Sequence, residues 1–282
     1  MPVISELNIY PVKSLGGIRV DMAELTDRGF QYDRRWMLVD ENNRFLTQRE
    51  YPLMSLLQPA ITGEGLKIYR RADPADSILV PFDSPAIETV TVTIWDDICQ
   101  AMLLDNSFGK WCSKAIGVNC RLVYMPDNSL RKIDPRYAMS EEDVTSFSDA
   151  YPILIISEES LDELNRRLAE PLPMNRFRPN IVIKDCAPFE EDIMRHFRIH
   201  PVDFYGVKLC ARCAITTINQ LTAEKKKEPL KTLSTFRTRN NNIYFGQNVL
   251  YHGKGTIRVG DIIEIVEKGE QPVFEKKTLQ EL

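Results

Sequence analysis

VKLCARCAITTI, residues 207–218, is the stretch on which the fold turns. An apolar lead-in (VKL) runs into Cys210-Ala211-Arg212-Cys213, and a β-branched run (AITTI) follows. A redox CxxC of the thioredoxin kind sits between a strand and a helix, with its first cysteine at the helix N-terminus. Here both flanks have strand character, so the stretch reads as strand, turn, strand over Val207–Leu209 and Ala214–Ile218. That sets aside a thioredoxin-like unit and points to a β-rich chain. A zinc ribbon needs a second ligand pair at similar spacing, and the sequence holds no second CxxC. A single metal-ligating thiolate and a merely structural pair both stay open on residue types. Arg212 beside Cys213 favours the thiolate, the form that binds soft metals, and a guanidinium also grips phosphate through two parallel hydrogen bonds.

Outward from that stretch, the first hundred residues carry many short runs with alternating or β-branched character. They are Val3–Tyr10, Ile18–Leu25, Trp36–Asp40, Arg44–Gln48, Leu66–Tyr69, Ile78–Val80 and Val90–Trp95. Turn signals at Gly16-Gly17, Glu41–Asn43 and Asp73-Pro74 separate them. Strands this short and this closely spaced predict a barrel or sandwich. After Leu103 the pattern changes. NSFGKWCSKAIG (106–117) puts Phe108, Trp111, Ala115 and Ile116 near helical spacing, and Cys120–Tyr124 reads as a strand. Pro126–Asp149 is polar and reads as a long surface loop, of the kind that is often functional or mobile.

Tyr151–Ile156 is an apolar strand, and Ser157 caps a helix with Leu161, Leu164 and Leu168 as its buried stripe. Asn180–Lys184, Phe197–His200, Asn248–Tyr251, Thr256–Val259 and Ile262–Glu267 read as further strands, with a helix beginning at Pro229 within 228–236. The expected class is mostly β with a few helices (α+β).

Net charge is −4 over 282 residues and the pI is near 5.6, so no nucleic-acid partner is expected and any anion site must be a local gathering of Lys and Arg. No apolar run approaches the roughly 20 residues that span a bilayer. The start, MPVISELNIYPVKS, lacks the basic and apolar regions of a signal peptide, so a cytoplasmic protein with no membrane partner is expected. GxGxxG, GxxxxGK[ST] and GxSxG signatures are absent. His196 and His200 lie four apart on a strand-like segment, too far for one metal, and His252 stands alone. What remains is a scattered set in loop-like positions: Lys13-Ser14 after the first strand, Arg34 after Asp33, Arg178 and Asn180 around Pro179, and Arg212 before Cys213. Each alone is an ordinary surface residue. Their shared position at strand ends is what a barrel would use to cradle an anionic cofactor.

IYPVKSLGG, FQYDRRWMLVD, FLTQREYP, SFSDAYPILIISEESLDELNRR, FRPNIVI, CARCAITTI, EPLKTLSTFR, FGQN and GTIRVGD run in order from Ile9 to Asp261. In that combination the chain resembles the MOSC superfamily, with an N-terminal MOSC β-barrel domain, and within it the mitochondrial amidoxime-reducing components and their bacterial relatives. The resemblance implies residues 1–103 as the N-terminal β-barrel domain, 104–119 as a connecting helix, 120–268 as the MOSC β-barrel domain and 269–282 as a tail. It implies a molybdenum–molybdopterin cofactor whose metal is ligated by Cys213, the catalytic position. Lys13, Ser14, Arg34, Arg178, Asn180, Ala211, Arg212 and Asn248 would contact the pterin.

The implied activity is reduction of N-hydroxylated compounds such as amidoximes and hydroxylamines. There are departures: Ala150-Tyr151 stand where the mitochondrial proteins have Thr-Ser, and Asn248 replaces a tyrosine. Bacterial relatives often carry a ferredoxin domain. No cysteine follows Cys213, so electrons are expected from a separate ferredoxin-, flavodoxin- or cytochrome-type donor with its reductase. The rival within the family is a sulfur or cofactor carrier holding a persulfide on Cys213. A structural or zinc-binding β protein is a third class. Pyridoxal phosphate has also been suggested for MOSC domains, but a phosphate-contacting turn gives Lys13 an electrostatic role instead.

Overall fold

The computed structural model describes residues 1–275. A nine-stranded sheet forms its larger half, in the order Glu264–Lys268, Met194–Ile199, Val202–Ala211, Asn242–His252, Ile153–Ser157, Ile181–Lys184, Val3–Ile9 and Ile18–Val20, with Thr238–Arg239 paired to the fourth. The first strand of the chain thus lies one in from the edge of a sheet built mostly from the second half. Neighbours pair antiparallel except Ile153–Ser157 with Ile181–Lys184. Parallel neighbours need a crossover, and the helix Glu158–Asn165 supplies it. Ser157 caps that helix as expected, its hydroxyl accepting from the Ser160 amide at 3.1 Å.

A four-stranded sheet, Trp36–Val39, Arg121–Tyr124, Asp97–Leu103 and Glu88–Ile94, stands beside a three-stranded one, Leu57–Ile61, Gly65–Arg70 and Asp73–Pro81. Alternation explains the first: Val90, Val92 and Ile94 point inward with Cys99, Ala101 and Leu103 of the partner strand, while Thr89 and Thr91 face out. The helix Asn106–Ile116 buries Cys112 and Ile116 against the same half. Gly109 lets it do so, because a Cβ there would meet the Cys120 carbonyl oxygen at 2.6 Å. The mostly β class with a few helices is as expected. Among the described residues the hydrogen-bonded sheets stay open and do not close into barrels.

Several local expectations need correction. Ile18–Leu25 is two strands, Ile18–Val20 and Met22–Leu25, because the second leaves to pair with Gly255–Arg258. Arg44–Gln48 is no strand: Phe45, Leu46, Thr47 and Gln48 are buried, held by single bridges at Phe45 and Arg44. Ala214–Thr217 is a 3-10 turn, not a strand. Its β-branched residues suggested extension, but the Thr216 hydroxyl donates to the Cys213 carbonyl at 3.0 Å and Thr217 to Ala214 at 2.8 Å, closing the turn.

The long loop after Pro126 lacks helices and strands, yet it is not loose. Arg131 (side chain 2 % exposed) donates to the carbonyls of Ser146, Ser148 and Asp149 and to Asp97. Buried Arg28 holds Asp127 and Ser129 in the same way. Of the expected tail, residues 269–275 form no helix or strand, and the remainder lies outside the described residues.

Candidate functional site

Lys13, Ser14, Arg34, Arg178, Asn180, Ala211, Arg212, Cys213 and Asn248 all line one cavity of about 120 Å³. They come from five separate stretches of chain, and the sheet brings them together. The Val3–Ile9 strand delivers the Lys13-Ser14 turn, where the Lys13 amide donates to the Trp36 carbonyl at 2.8 Å. The Asp33-Arg34 turn is stitched beneath it: the Arg34 amide donates to the Tyr10 carbonyl, and the Tyr10 amide donates to Asp33 Oδ1 at 2.7 Å. Asn180 fixes the junction with the neighbouring strands, donating to the Asn8 carbonyl and accepting from Arg34 Nη1 at 2.9 Å.

Three cavity residues, Ser14 (φ 66), Arg34 (φ 50) and Arg178 (φ 58), hold left-handed backbone that β-carbon-bearing residues rarely adopt. Each such residue costs on the order of 1–3 kcal/mol, and such strain clusters at functional sites.

The electrostatics are lopsided. Four cations converge: Lys13, Arg34, Arg178 and Arg212. Arg34 pairs with Asp33, which lies behind the wall and which burial pushes above the usual carboxylate range despite that partner. Lys13, fully enclosed, pairs with Asp149 Oδ1 at 2.7 Å and donates to the Phe147 carbonyl at 2.8 Å. Burial still lowers Lys13 to about 8, more than Asp149 restores. Burial pushes Asp149 up, but the charges of Lys13 and Arg49 outweigh it and hold this carboxyl well below its ordinary range. The more accessible partner, 58 % exposed, thus gains from the pair and the buried one does not.

Arg178 has no carboxylate within ion-pair distance among the described residues. Its Nη1 donates to the Leu15 carbonyl at 2.6 Å and its guanidinium lies 4.2 Å from the Tyr10 ring centroid, with Arg34 4.4 Å from the same ring. Burial lowers Arg178 to about 10, so it stays charged. Arg212 donates to Cys210 Sγ at 3.0 Å and to the Phe177 carbonyl at 2.6 Å, while its buried Nε has no partner among the described residues. Burial pushes the Cys210 thiol up. Cys213 ends the turn and caps the 3-10 segment, half-buried in the cavity wall.

Residues that fit an anionic, metal-bearing group are therefore present. An unpaired buried guanidinium nitrogen and a buried arginine without a carboxylate want an anion, and a thiol is a soft metal donor. Among the described residues no three His, Cys, Asp or Glu side chains form a metal-sized cluster. A metal at Cys213 would take its other ligands from a bound cofactor. His196 is occupied elsewhere, 2.7 Å from Asp203 and stacked on Tyr205.

The sequence reading missed Ser148, Asp149, Leu154, Phe177 and Ile215 as cavity residues. Asp149 carried a signal, since SFSDAYP leads a long polar loop straight into a buried strand.

Residues 1–119 match the MOSC N-terminal beta barrel domain and residues 142–264 match the MOSC domain. Mitochondrial amidoxime-reducing component 1 of Mus musculus is 32 % identical over 93 % of this chain and 82 % of its own length. Its namesake from Xenopus laevis is 30 % identical over 95 % of this chain and 83 % of its own. The molybdenum cofactor sulfurase of Oryza sativa subsp. japonica is 31 % identical over 86 % of this chain but only 32 % of that longer protein. With both domains matched in order and the relatives' similarity covering nearly the whole chain, the chain belongs to the MOSC-domain family.

Proposed function

We propose that this protein is an oxidoreductase that binds a molybdenum–pterin cofactor through Cys213 and reduces N-hydroxylated compounds, such as amidoximes, to the amine-type product and water. The observation that carries the reading is the convergence of a half-buried thiol with four cations facing one lining carboxylate, Asp149. Lys13, Arg178 and Arg212 would hold the cofactor's anionic groups, Arg34 and Asn180 would orient it by hydrogen bonds, and Ser14, Ala211 and Asn248 would shape the wall. Cys213 would give a soft ligand to the metal. The cofactor, when bound, supplies the two-electron redox chemistry, and the protein supplies binding, orientation and electrostatics.

Lys13 sits 2.7 Å from Asp149 and keeps a proton near neutral pH, so this pair can hold a proton at the cavity mouth. The site would lie where a unit of residues 1–103 meets one of residues 120–268, joined through 104–119.

Electrons would come from a separate ferredoxin-, flavodoxin- or cytochrome-type protein, a partner suggested by the component names of the relatives. A cytoplasmic location belongs to the same proposal. All six cysteines are free thiols, as a reducing compartment keeps them. No helix of the described residues is long and apolar enough to cross a membrane. The test is molybdenum content and benzamidoxime reduction with a chemical reductant, on protein made in a host that makes the cofactor. Molybdenum near one per chain, with turnover that Cys213→Ala abolishes, is expected; full turnover by that variant would sink the ligand assignment.

The similarity to a molybdenum cofactor sulfurase favours a second reading. In it Cys213 carries a persulfide, or passes the cofactor to a client. Cyanolysis releasing about one sulfane sulfur per chain, without benzamidoxime turnover, would move the assignment there.

A further inference from the structure

A second, larger hollow opens beside the cofactor cavity, and the two share Asp149 and Ala150 in their walls. Its volume is about 1120 Å³, against about 120 Å³ for the cavity that holds Cys213. A concave space of that size suits a small organic molecule rather than a protein face. One side is apolar: Trp95, Ile133, Pro135, Ala138 and Met139, of which Trp95 is 44 % and Met139 41 % exposed. Arg49 lies 3.9 Å from the Trp95 ring centroid and steadies it.

The charges reverse across the shared wall. Four cations face the small cavity, whereas Asp96, Asp97, Asp134, Glu141, Asp143 and Asp149 face the groove against one lysine, Lys132. Four of these carboxylates have partners: Asp97 with Arg131, Asp134 with Arg136, Asp143 with His252 and Asp149 with Lys13. Asp96 and Glu141 are exposed and have no charged partner among the described residues. They sit on opposite segments, one beside Trp95 and one on the loop held by Arg131. Two unneutralised carboxylates flanking an aromatic wall match a flat apolar molecule bearing a positive charge.

We propose that this groove is the substrate cleft, and that Asp96, Glu141 and Trp95 select substrates with a flat apolar body and a cationic group, against anionic ones. The inference rests on the N-reductase reading of the adjoining cavity. The substrate's N–O group would enter past Asp149 and Ala150, while its body stays against Trp95 and its charge between the two free carboxylates.

The test compares three para-substituted benzamidoximes on the molybdenum-loaded protein: trimethylammoniomethyl, unsubstituted and carboxylate. The expected kcat/KM is about tenfold higher for the cation than for the anion, falling with added salt. In the double variant Asp96→Asn, Glu141→Gln the cation should lose turnover and the anion gain it. A merely damaged protein would lose both. A ratio near one in the unaltered protein, or an unchanged ratio in the variant, overturns the proposal.

Unreactive benzamides with the same substituents, neutral in the body like the benzamidoximes, give a readout independent of turnover, through the part of the tryptophan quenching that Trp95→Phe removes. Tighter binding of the cation, lost in the double variant, upholds the cleft; equal affinities, or no quenching that depends on Trp95, overturn it. Failure of all three benzamidoximes alongside selective benzamide binding would refute the N-reductase reading and leave a cleft for aromatic cations.

Discussion

Two buried clusters in this molecule carry unbalanced charge, and they resolve the imbalance in opposite ways. Under the Glu158–Asn165 helix, Glu191 and Asp192 face a single arginine, Arg237. Glu191 Oε2 accepts from the Ser157 and Ser160 hydroxyls at 2.9 Å each, and Asp192 Oδ2 accepts from Arg237 at 2.6 Å. The surplus is acidic, and burial pushes both carboxyls up, Asp192 to about 7 despite Arg237. An excess carboxylate can heal itself by holding a proton. In the cofactor cavity the surplus is cationic, and guanidinium has no such escape, since Arg178 lowered to about 10 remains charged. One cluster is closed and structural; the other is incomplete until an anion arrives.

The largest expected break is Cys213→Ala. It removes the soft ligand and leaves the cations, so N-reductive turnover should fall roughly a thousandfold or more, together with bound molybdenum. Metal analysis beside activity reads it. Next comes a paired experiment on unfolding in urea. Asp192→Ala strands Arg237 in the interior and should destabilise by about 3–5 kcal/mol. Arg178→Met of the cofactor-free protein should stay within about 1 kcal/mol, because an unpaired buried charge gives way to an apolar chain, while molybdenum retention drops. Equal destabilisation by both would mean that Arg178 is structural, and the contrast would collapse.

Titration sharpens the comparison with a smaller effect. Lys13 at about 8 loses its charge as pH rises from 7 to 9, so cofactor retention should weaken several-fold over that window. Lys13→Arg should flatten the loss, measured as molybdenum kept after dialysis at each pH. The acidic cluster has its own window. Asp192 is raised above its unfolded value, so its contribution to stability is present at pH 4 and lost as pH rises through 7. Asp192→Asn should reduce that slope in urea midpoints. The smallest effect is Ser14→Gly: glycine relieves the left-handed backbone but has more chain entropy to lose, and the net should stay below about 1 kcal/mol in thermal unfolding.

Residues with strong local signatures were legible. Strict alternation gave away the Glu88–Ile94 strand, and Ser157 announced its helix because a cap is a contact three residues long. Ala214–Thr217 misled because its threonines bond to carbonyls three residues back, which β-propensity does not register. Leu57–Ile61 and Asp97–Leu103 went unseen, since Pro59 interrupts the first and the apolar Ile98 and Met102 on the outer face of the second blur its period of two. The nine candidate site residues could be named, and they share one cavity. Phe177 could not, because its importance lies in the Arg212 that faces it, and Asp149 showed only as the end of a polar loop, its partners Lys13 and Trp95 arriving from elsewhere in the chain.

By itself the sequence determined a mostly β chain, the thiol at Cys213 and the identity of the cations, since residue type and period are properties of short stretches. Tertiary structure alone decided that the first strand enters the second half's sheet and so carries Lys13 beside Arg178, 165 positions away. It also decided that Arg178 is left without an ion-pair partner among the described residues and that an acidic groove lies against a cationic cavity. Burial and pairing depend on every segment that arrives at a point, and no window along the chain contains them.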